Sequence, residues 1–281
     1  MTSLPVPETA TSRPRPARAA RLIALVGVTV SAVVLSMLSL QPASADTQPA
    51  AGTPATVSSD SLAAPQIDGV VWDQVVIGDT VYVGGKFTTA RPAGSNAGVN
   101  TSVRNNLLAY NIKTGALLPW APNTDQQVLS LSASPDGKRL YVSGDFTNIA
   151  GQGRSRLAAF EVATGALSTA FTANVNRQAT EVLATNTAVY VTGTFSTGTP
   201  TTGGTAVARA GAAAFSTTNG AVLPWAPITA GGNARAMVIS PDNSKLVLGG
   251  NFTTLNGSDN PGYGLGAVDA TTGASLPWAV N

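Results

Sequence analysis

The chain repeats itself four times, and this limits its fold more than any other feature. VYVGGKF at 81–87 recurs as LYVSGDF at 140–146, VYVTGTF at 189–195 and LVLGGNF at 246–252. Each copy is followed by a second motif: YNIKTGALLPW at 110–120, FEVATGALSTAF at 160–171, FSTTNGAVLPW at 215–225 and VDATTGASLPW at 268–278. The glycines of the second motif, Gly115, Gly165, Gly220 and Gly273, are 50, 55 and 53 residues apart. All seven Phe fall inside these motifs, and among the other aromatics only Trp72 and Tyr263 fall outside the aligned columns. Chance would scatter them.

Each unit reads as about four short strands. In the second unit, Val128–Ala133 is an apolar, β-favouring strand. Pro135-Asp136-Gly137 is a turn, because Pro fixes φ and Gly accepts the left-handed region. Leu140–Phe146 is the next strand, with Gly144 marking a bulge or a close backbone approach. Leu157–Val162 follows, then a Thr164-Gly165 hairpin turn and a last strand ending at Phe171. A four-stranded sheet that is apolar on both faces buries neither face alone, so copies must stack. A period near 50 residues of this kind predicts an all-β fold of β-propeller blades, four four-stranded repeats. The blades fall at about 66–123, 124–174, 175–228 and 229–281. Three assemblies are open: a closed four-bladed ring, a piece of a ring of roughly six to eight blades, or a ring completed by two chains. The abrupt stop after the fourth copy favours the second.

The residues before the repeats differ in kind. Arg13, Arg15, Arg18 and Arg21 precede the apolar run LIALVGVTVSAVVLSMLSL at 22–40, and Ala43-Ser44-Ala45 follows a Pro. A basic region, an apolar core and a small-x-small site make a secretory signal over residues 1–45. The rival is an uncleaved anchor, since 19 apolar or small positions approach the roughly 20 that span a bilayer. Either way the repeats are exported, secreted or held at the cell surface, and the membrane is met only through this segment. Residues 46–65, rich in Ala, Thr, Ser and Pro, read as a flexible linker.

Composition removes several chemistries. There is no His and no Cys, so catalytic triads, thiol nucleophiles and His- or Cys-ligated metals do not arise within the chain. With residues 1–45 set aside, 12 basic and 13 acidic residues remain, which gives no basic face for nucleic acid. Asp136 and Asp242 belong to Pro-Asp turns. Asp145 shares its slot with Lys86, Thr194 and Asn251, which is no symmetric metal ring, and Asp259 reads as part of a polar loop. No catalytic residue, metal site or cofactor is predicted.

One polar recurrence stands out. Arg104, Arg154 and Arg209 each lie six residues before a strand aromatic, at Tyr110, Phe160 and Phe215. They form either a ring of guanidinium forks that holds an anionic group or a set of scaffold arginines bonding loop carbonyls. The loops before them vary in length and are rich in Ser, Thr, Asn and Gly, which suits wet recognition on one face of a rigid scaffold.

At the Pro-Asp-Gly turn, the Tyr-Val-x-Gly-x-Phe-Thr strand and the Thr-Gly hairpin, the chain resembles the delta-60 repeat propellers of exported bacterial proteins. The resemblance covers about residues 66–281. It implies the propeller fold and the kind of large actinobacterial surface protein that carries further adhesive domains, and it says little about activity. The expected role is an extracellular binding or scaffold module whose partner is a surface glycan or a protein. The alternatives are the propeller portion of a larger carboxylate-based hydrolase or lyase, or oxidoreductase, and a structural spacer.

Overall fold

The computed structural model describes residues 63–201, 203–259 and 262–277. The predicted signal and nearly all of the linker lie outside them. The described chain is all-β. Four antiparallel sheets follow one another, each a meander that starts with a strand at its inner edge. In the first blade Val70–Ile77, Thr80–Lys86 and Leu107–Asn111 pair in that order; in the second, Val128–Ala133, Arg139–Gly144, Leu157–Glu161 and Ala166–Leu167. The third holds Ala179–Ala184, Ala188–Gly193 and Ala212–Ser216, and the fourth Ala234–Ile239, Lys245–Gly250, Leu265–Asp269 and Ser275–Leu276. The outermost strand is two residues long in blades two and four. In blades one and three it shrinks to the single bridges Tyr110↔Leu117 and Phe215↔Val222. A Pro follows at Pro119, Pro224 and Pro277, and a residue without an N–H is tolerated only at such an edge.

The turns behave as their residues require. Gly115, Gly165, Gly220 and Gly273 all have φ between 67° and 76°, the left-handed region that the three Thr-Gly hairpins and the Asn219-Gly220 one need. Asp136 accepts from the Ser134 hydroxyl and the Lys138 amide, and Asp242 from Ser240 and Ser244, so both tie their own turns.

The core is three sandwiches between successive sheets and a fourth cluster in which Val81, Val83, Phe87 and Leu108 of blade one pack with Ala90 and Ile67 of its cap. Tyr82, Leu107 and Ala109 of blade one meet Val128, Leu140 and Phe146 of blade two. Tyr141 and Phe171 of blade two meet Val182, Val189 and Phe195 of blade three, and Tyr190 and Trp225 of blade three meet Met237, Leu246 and Phe252 of blade four. The four Phe of the Gly-x-Phe motif are all at most 3% exposed. Small residues at 158–159 and 212–214 are fully buried and let neighbouring sheets approach closely.

A register shift recurs where each inner strand begins: between Val71 and Asp73, Val128 and Ser130, Ala179 and Glu181, and Ala234 and Ala236. The extra residues are Trp72, Leu129, Thr180 and Arg235. The expected bulge at Gly144 therefore sits on the partner strand, opposite that glycine.

The segments between the Gly-x-Phe strand and the third strand, read from sequence as loops, carry short sheets of their own. Gln66–Ile67, Thr89–Arg91 and Ser102–Val103 form one, and Asn174–Val175, Thr197–Thr199 and Val207–Ala208 another. Asn148–Ile149 pairs with Gln152–Gly153, and Thr229–Ala230 with Thr254–Leu255. These caps lie at the same end of every blade, because each is inserted at the same point of the repeat.

Candidate functional site

In the first three blades the caps are fastened by a side chain placed just before the inner strand; before the fourth, Gly231 stands in that place and Thr253 bonds the Ala230 carbonyl instead. Asp68 accepts hydrogen bonds from the amides of Thr88 and Thr89 and from the Thr88 hydroxyl. Asp125 holds Thr147 and Asn148 in the same way, and Asn176 holds Ser196 and Thr197. Burial acts to raise the Asp68 and Asp125 carboxyl groups, but the donors from Thr88 and Thr89, and from Thr147 and Asn148, outweigh it and hold both below the usual carboxylate range. The hydroxyl residue after each Phe, Thr88, Thr147, Ser196 and Thr253, thus has a structural task.

The recurrent arginines sit where each cap returns to its blade. Arg104 donates to the carbonyls of Val103 (2.7 Å) and Leu118 (2.9 Å), and Arg209 to those of Ala208 (2.7 Å) and Leu223 (2.6 Å). Burial lowers the pKa of both guanidinium groups. Arg154 donates to the Gly153 carbonyl at 3.0 Å. Two of the three forks therefore reach the outer strand of their own blade.

The inner strands are sheet edges, and their free amides are met by side chains from the preceding blade. Asp73 Oδ2 accepts from Leu131 N at 2.7 Å, Ser130 Oγ from Val182 N at 3.3 Å and Ser132 Oγ from Ala184 N at 3.0 Å. Thr180 Oγ1 donates to the Ala234 carbonyl at 3.3 Å. Sequence reasoning passed over these residues; the available signal was polar side chains interrupting otherwise apolar strands. The same line holds Glu181, whose carboxyl is pushed up to about 7, first by burial and then by the negative charge of Asp73.

A carboxyl raised in the folded state favours folding while protonated, and that contribution disappears as pH climbs from the ordinary value of 4.5 to about 7. Stability should therefore fall across this window. Glu181→Gln should flatten the profile and gain about 1–2 kcal/mol at pH 8, after solvent screening of a partly open group. Urea midpoints of both proteins at pH 5 and pH 8 measure it, and parallel profiles would refute the assignment.

Two recesses are prominent. One, of about 380 Å³, lies at the end opposite the caps and is crossed by Arg139, which pairs with Glu161 (3.0 Å) and donates to the Thr217 carbonyl of the next blade. Its Ser134, Asp136, Arg139 and Glu161 already serve each other. The larger, of about 560 Å³, lies on the cap side between the first two blades. Its floor includes Asn106, which accepts from Phe87 N and donates to Thr124. Lys86, Asn105, Gln126 and Gln127 stand around it. The side chains of Lys86, Asn105 and Gln126 have no hydrogen-bond partner among the described residues.

From Gln127 a polar row runs toward the inner strands. Gln127 Oε1 accepts from the Trp72 indole (3.0 Å), and Gln127 Nε2 donates to Asp145 Oδ2 (2.7 Å), which also accepts from Gln178 Nε2 (3.1 Å). Asp145, expected to be a solvated strand residue, is instead half-buried and joins the starts of blades two and three. Trp72, noted in the sequence only as an aromatic outside the repeat columns, is 51% exposed. Among the described residues no three acidic side chains gather to hold a metal ion.

No protein-family profile matches the chain, and no curated protein sequence matches it. Among solved structures it is similar to Kuenenia stuttgartiensis hydrazine synthase, with 15% identity over 82% of this chain and 52% of that one, at a TM-score of 0.43. It is also similar to the β-propeller domain of Myceliophteria thermophila Cps50 (Swd1), with 12% identity over 75% of this chain and 55% of that one, at a TM-score of 0.45. The chain spans about half the length of each. It is an all-β protein of four propeller-type blades, a conclusion that rests on its own repeats and sheet topology.

Proposed function

We propose that the protein is an exported β-propeller module that binds a surface partner, a glycan or a protein, through its cap face. The observation that carries this is the cap-side groove between blades one and two, where Lys86, Asn105 and Gln126 hold polar groups with no partner among the described residues. Lys86 and Gln126 are exposed and Asn105 is half-buried, so their polar groups are open to a partner in place of water, on the variable end of a rigid scaffold. Arg104, Arg154 and Arg209 belong to the same face. Arg154, with one described bond against two for each of the others, keeps the most donors for an anionic group.

Export is supported by the basic, apolar and small-residue segments of residues 1–45. Expression of the full chain in a bacterial host, with mass analysis of the protein in the medium and envelope, tests that part; the expected new N-terminus is Asp46. Binding is tested by presenting the purified chain to printed glycans and to extracted envelope proteins. A partner retained by the natural chain and lost with Lys86→Glu supports the cap face. Retention that ignores this change refutes it.

A further inference from the structure

We infer that the groove between the first two blades, together with Trp72, which is bonded to Gln127 of the groove lining, is a subsite for a neutral saccharide. The inference rests on the binding-module reading above and names the ligand class of the same face.

Trp72 begins the argument. Its equivalents at the other three bulges are Leu129, Thr180 and Arg235, so the aromatic is not a demand of the repeat. Half of its surface is open. Val70, Val71 and Val76 of the same strand are exposed too, so Trp72 belongs to an open apolar surface of the kind a partner covers rather than being a lone exposed side chain. The ring is held as well as exposed, because its indole N–H is tied to Gln127. A fixed aromatic surface loses little freedom on binding. The C–H faces of a pyranose are apolar and lie flat on such a ring, while the rim of the sugar is a belt of hydroxyls that both donate and accept.

The neighbouring groups match that belt. Because Gln127 accepts from Trp72 and donates to Asp145, the orientation of its amide is set. Each end keeps unused capacity: a second lone pair on Oε1 and a second proton on Nε2. Asn105 and Gln126 add two more amides on the groove wall. Side-chain amides pair donor with acceptor at hydroxyl spacing and carry no charge. The recess, at about 560 Å³, falls within the usual range for small-ligand sites of about 300–1,000 Å³.

Charge selects within the class. Lys86 faces Asp68 and Asp125 in the groove, and Asp145 lies beyond Gln127, so the local balance is acidic. An anionic sugar or a phosphate would meet net repulsion. The Asp68 and Asp125 carboxylates are already engaged by Thr88, Thr89, Thr147 and Asn148, which leaves them poorly placed to grip a cation. A neutral polyhydroxyl ligand fits what remains.

The full chain is titrated by calorimetry and tryptophan fluorescence with cellotetraose, maltotetraose and tetra-N-acetylchitotetraose, and with a hyaluronan tetrasaccharide as the anionic comparison. At least one neutral oligomer should bind at concentrations below about 10 mM and more tightly than the anionic one. Trp72→Ala should weaken that binding at least about tenfold, Trp72→Phe should keep part of it, and Asn105→Ala should weaken it too. Trp72→Ala also removes the bond to Gln127, so circular dichroism is recorded to establish that the variant is folded at the temperature of the titration. No neutral binding at that limit, a preference for the anionic oligomer, or indifference to Trp72→Ala overturns the assignment. An envelope protein bound through Lys86 while all four sugars stay inert overturns it but leaves the binding-module reading standing. Sugar binding that ignores Trp72→Ala, Asn105→Ala and Lys86→Glu alike removes both.

Discussion

Gly193→Ala should destabilise the protein by about 3 kcal/mol, near the upper end of what overpacking costs. A methyl at this position would stand 2.1 Å from the Gln178 carbonyl oxygen and 3.0 Å from the Ala179 Cα. Neither is a flexible side-chain end. The Gln178 oxygen is held by the Thr194 amide at 3.0 Å, so it cannot withdraw without breaking a hydrogen bond. The clash is a property of the repeat. At Gly85, Gly144 and Gly250 the added carbon would meet the carbonyl oxygens of Val70, Gln127 and Asn233 at 2.1, 2.3 and 2.2 Å. The cause is the bulge at the start of each inner strand, which swings the backbone over the second strand just before Phe. For a domain of this size the loss corresponds to a fall in melting temperature of about 6–12 °C. Gly153→Ala is the control, since nothing lies within 4 Å of its added carbon. If both variants unfold at the same urea concentration, close approach is not why glycine stands in Gly-x-Phe.

That glycine shows how far the residues alone carry the fold. A small residue before a buried Phe in four copies pointed to a bulge or a close approach, and both are present, one on each strand of the pair. The Thr-Gly turns were equally legible, because only a residue without a side chain enters the left-handed region at no cost. The caps were not legible. Their strands are two or three residues long, too short for alternation to show, and they are held by side chains such as Asp68 and Asp125 that lie some 20 residues from the threonines they clasp. The arginines illustrate a different limit. Their recurrence was visible, but a repeated Arg reads alike whether its fork faces a ligand or the carbonyls of Leu118 and Leu223. The candidate site was hardest to see for the opposite reason. Trp72, Gln127, Asp145 and Gln178 come from three blades and do not repeat as a set. What marks a site on a repeated scaffold is departure from the repeat, and Trp72 was such a departure.

Trp225→Ala should cost about 3–5 kcal/mol, the usual range for removing a fully buried large aromatic, and the loss should appear in one blade. Trp225 is 1% exposed at the junction of blades three and four. It meets Tyr190 edge-on at 5.0 Å, and its indole N–H donates to the Asp269 carbonyl at 3.1 Å. Tyr190 reaches the adjacent Ala270 carbonyl at 2.7 Å. Two aromatics of blade three thus hold the turn of blade four by its backbone. In a stacked array, stability is a sum of blade terms and nearest-neighbour interface terms, so weakening one junction frees only what lies beyond it. Hydrogen exchange should then accelerate by about 100-fold or more in Ala234–Ile239, Lys245–Gly250 and Leu265–Asp269, while Arg139–Gly144 keeps its protection. Trp120→Ala makes the comparison, because Trp120 does the same work between blades one and two, packed edge-on against Tyr82 and Phe160 and bonded to the Gly165 carbonyl. There the freed element should be blade one. If either variant instead loosens all four blades equally, the sheets fold as one cooperative block, and an account built on pairwise leaning between neighbours fails.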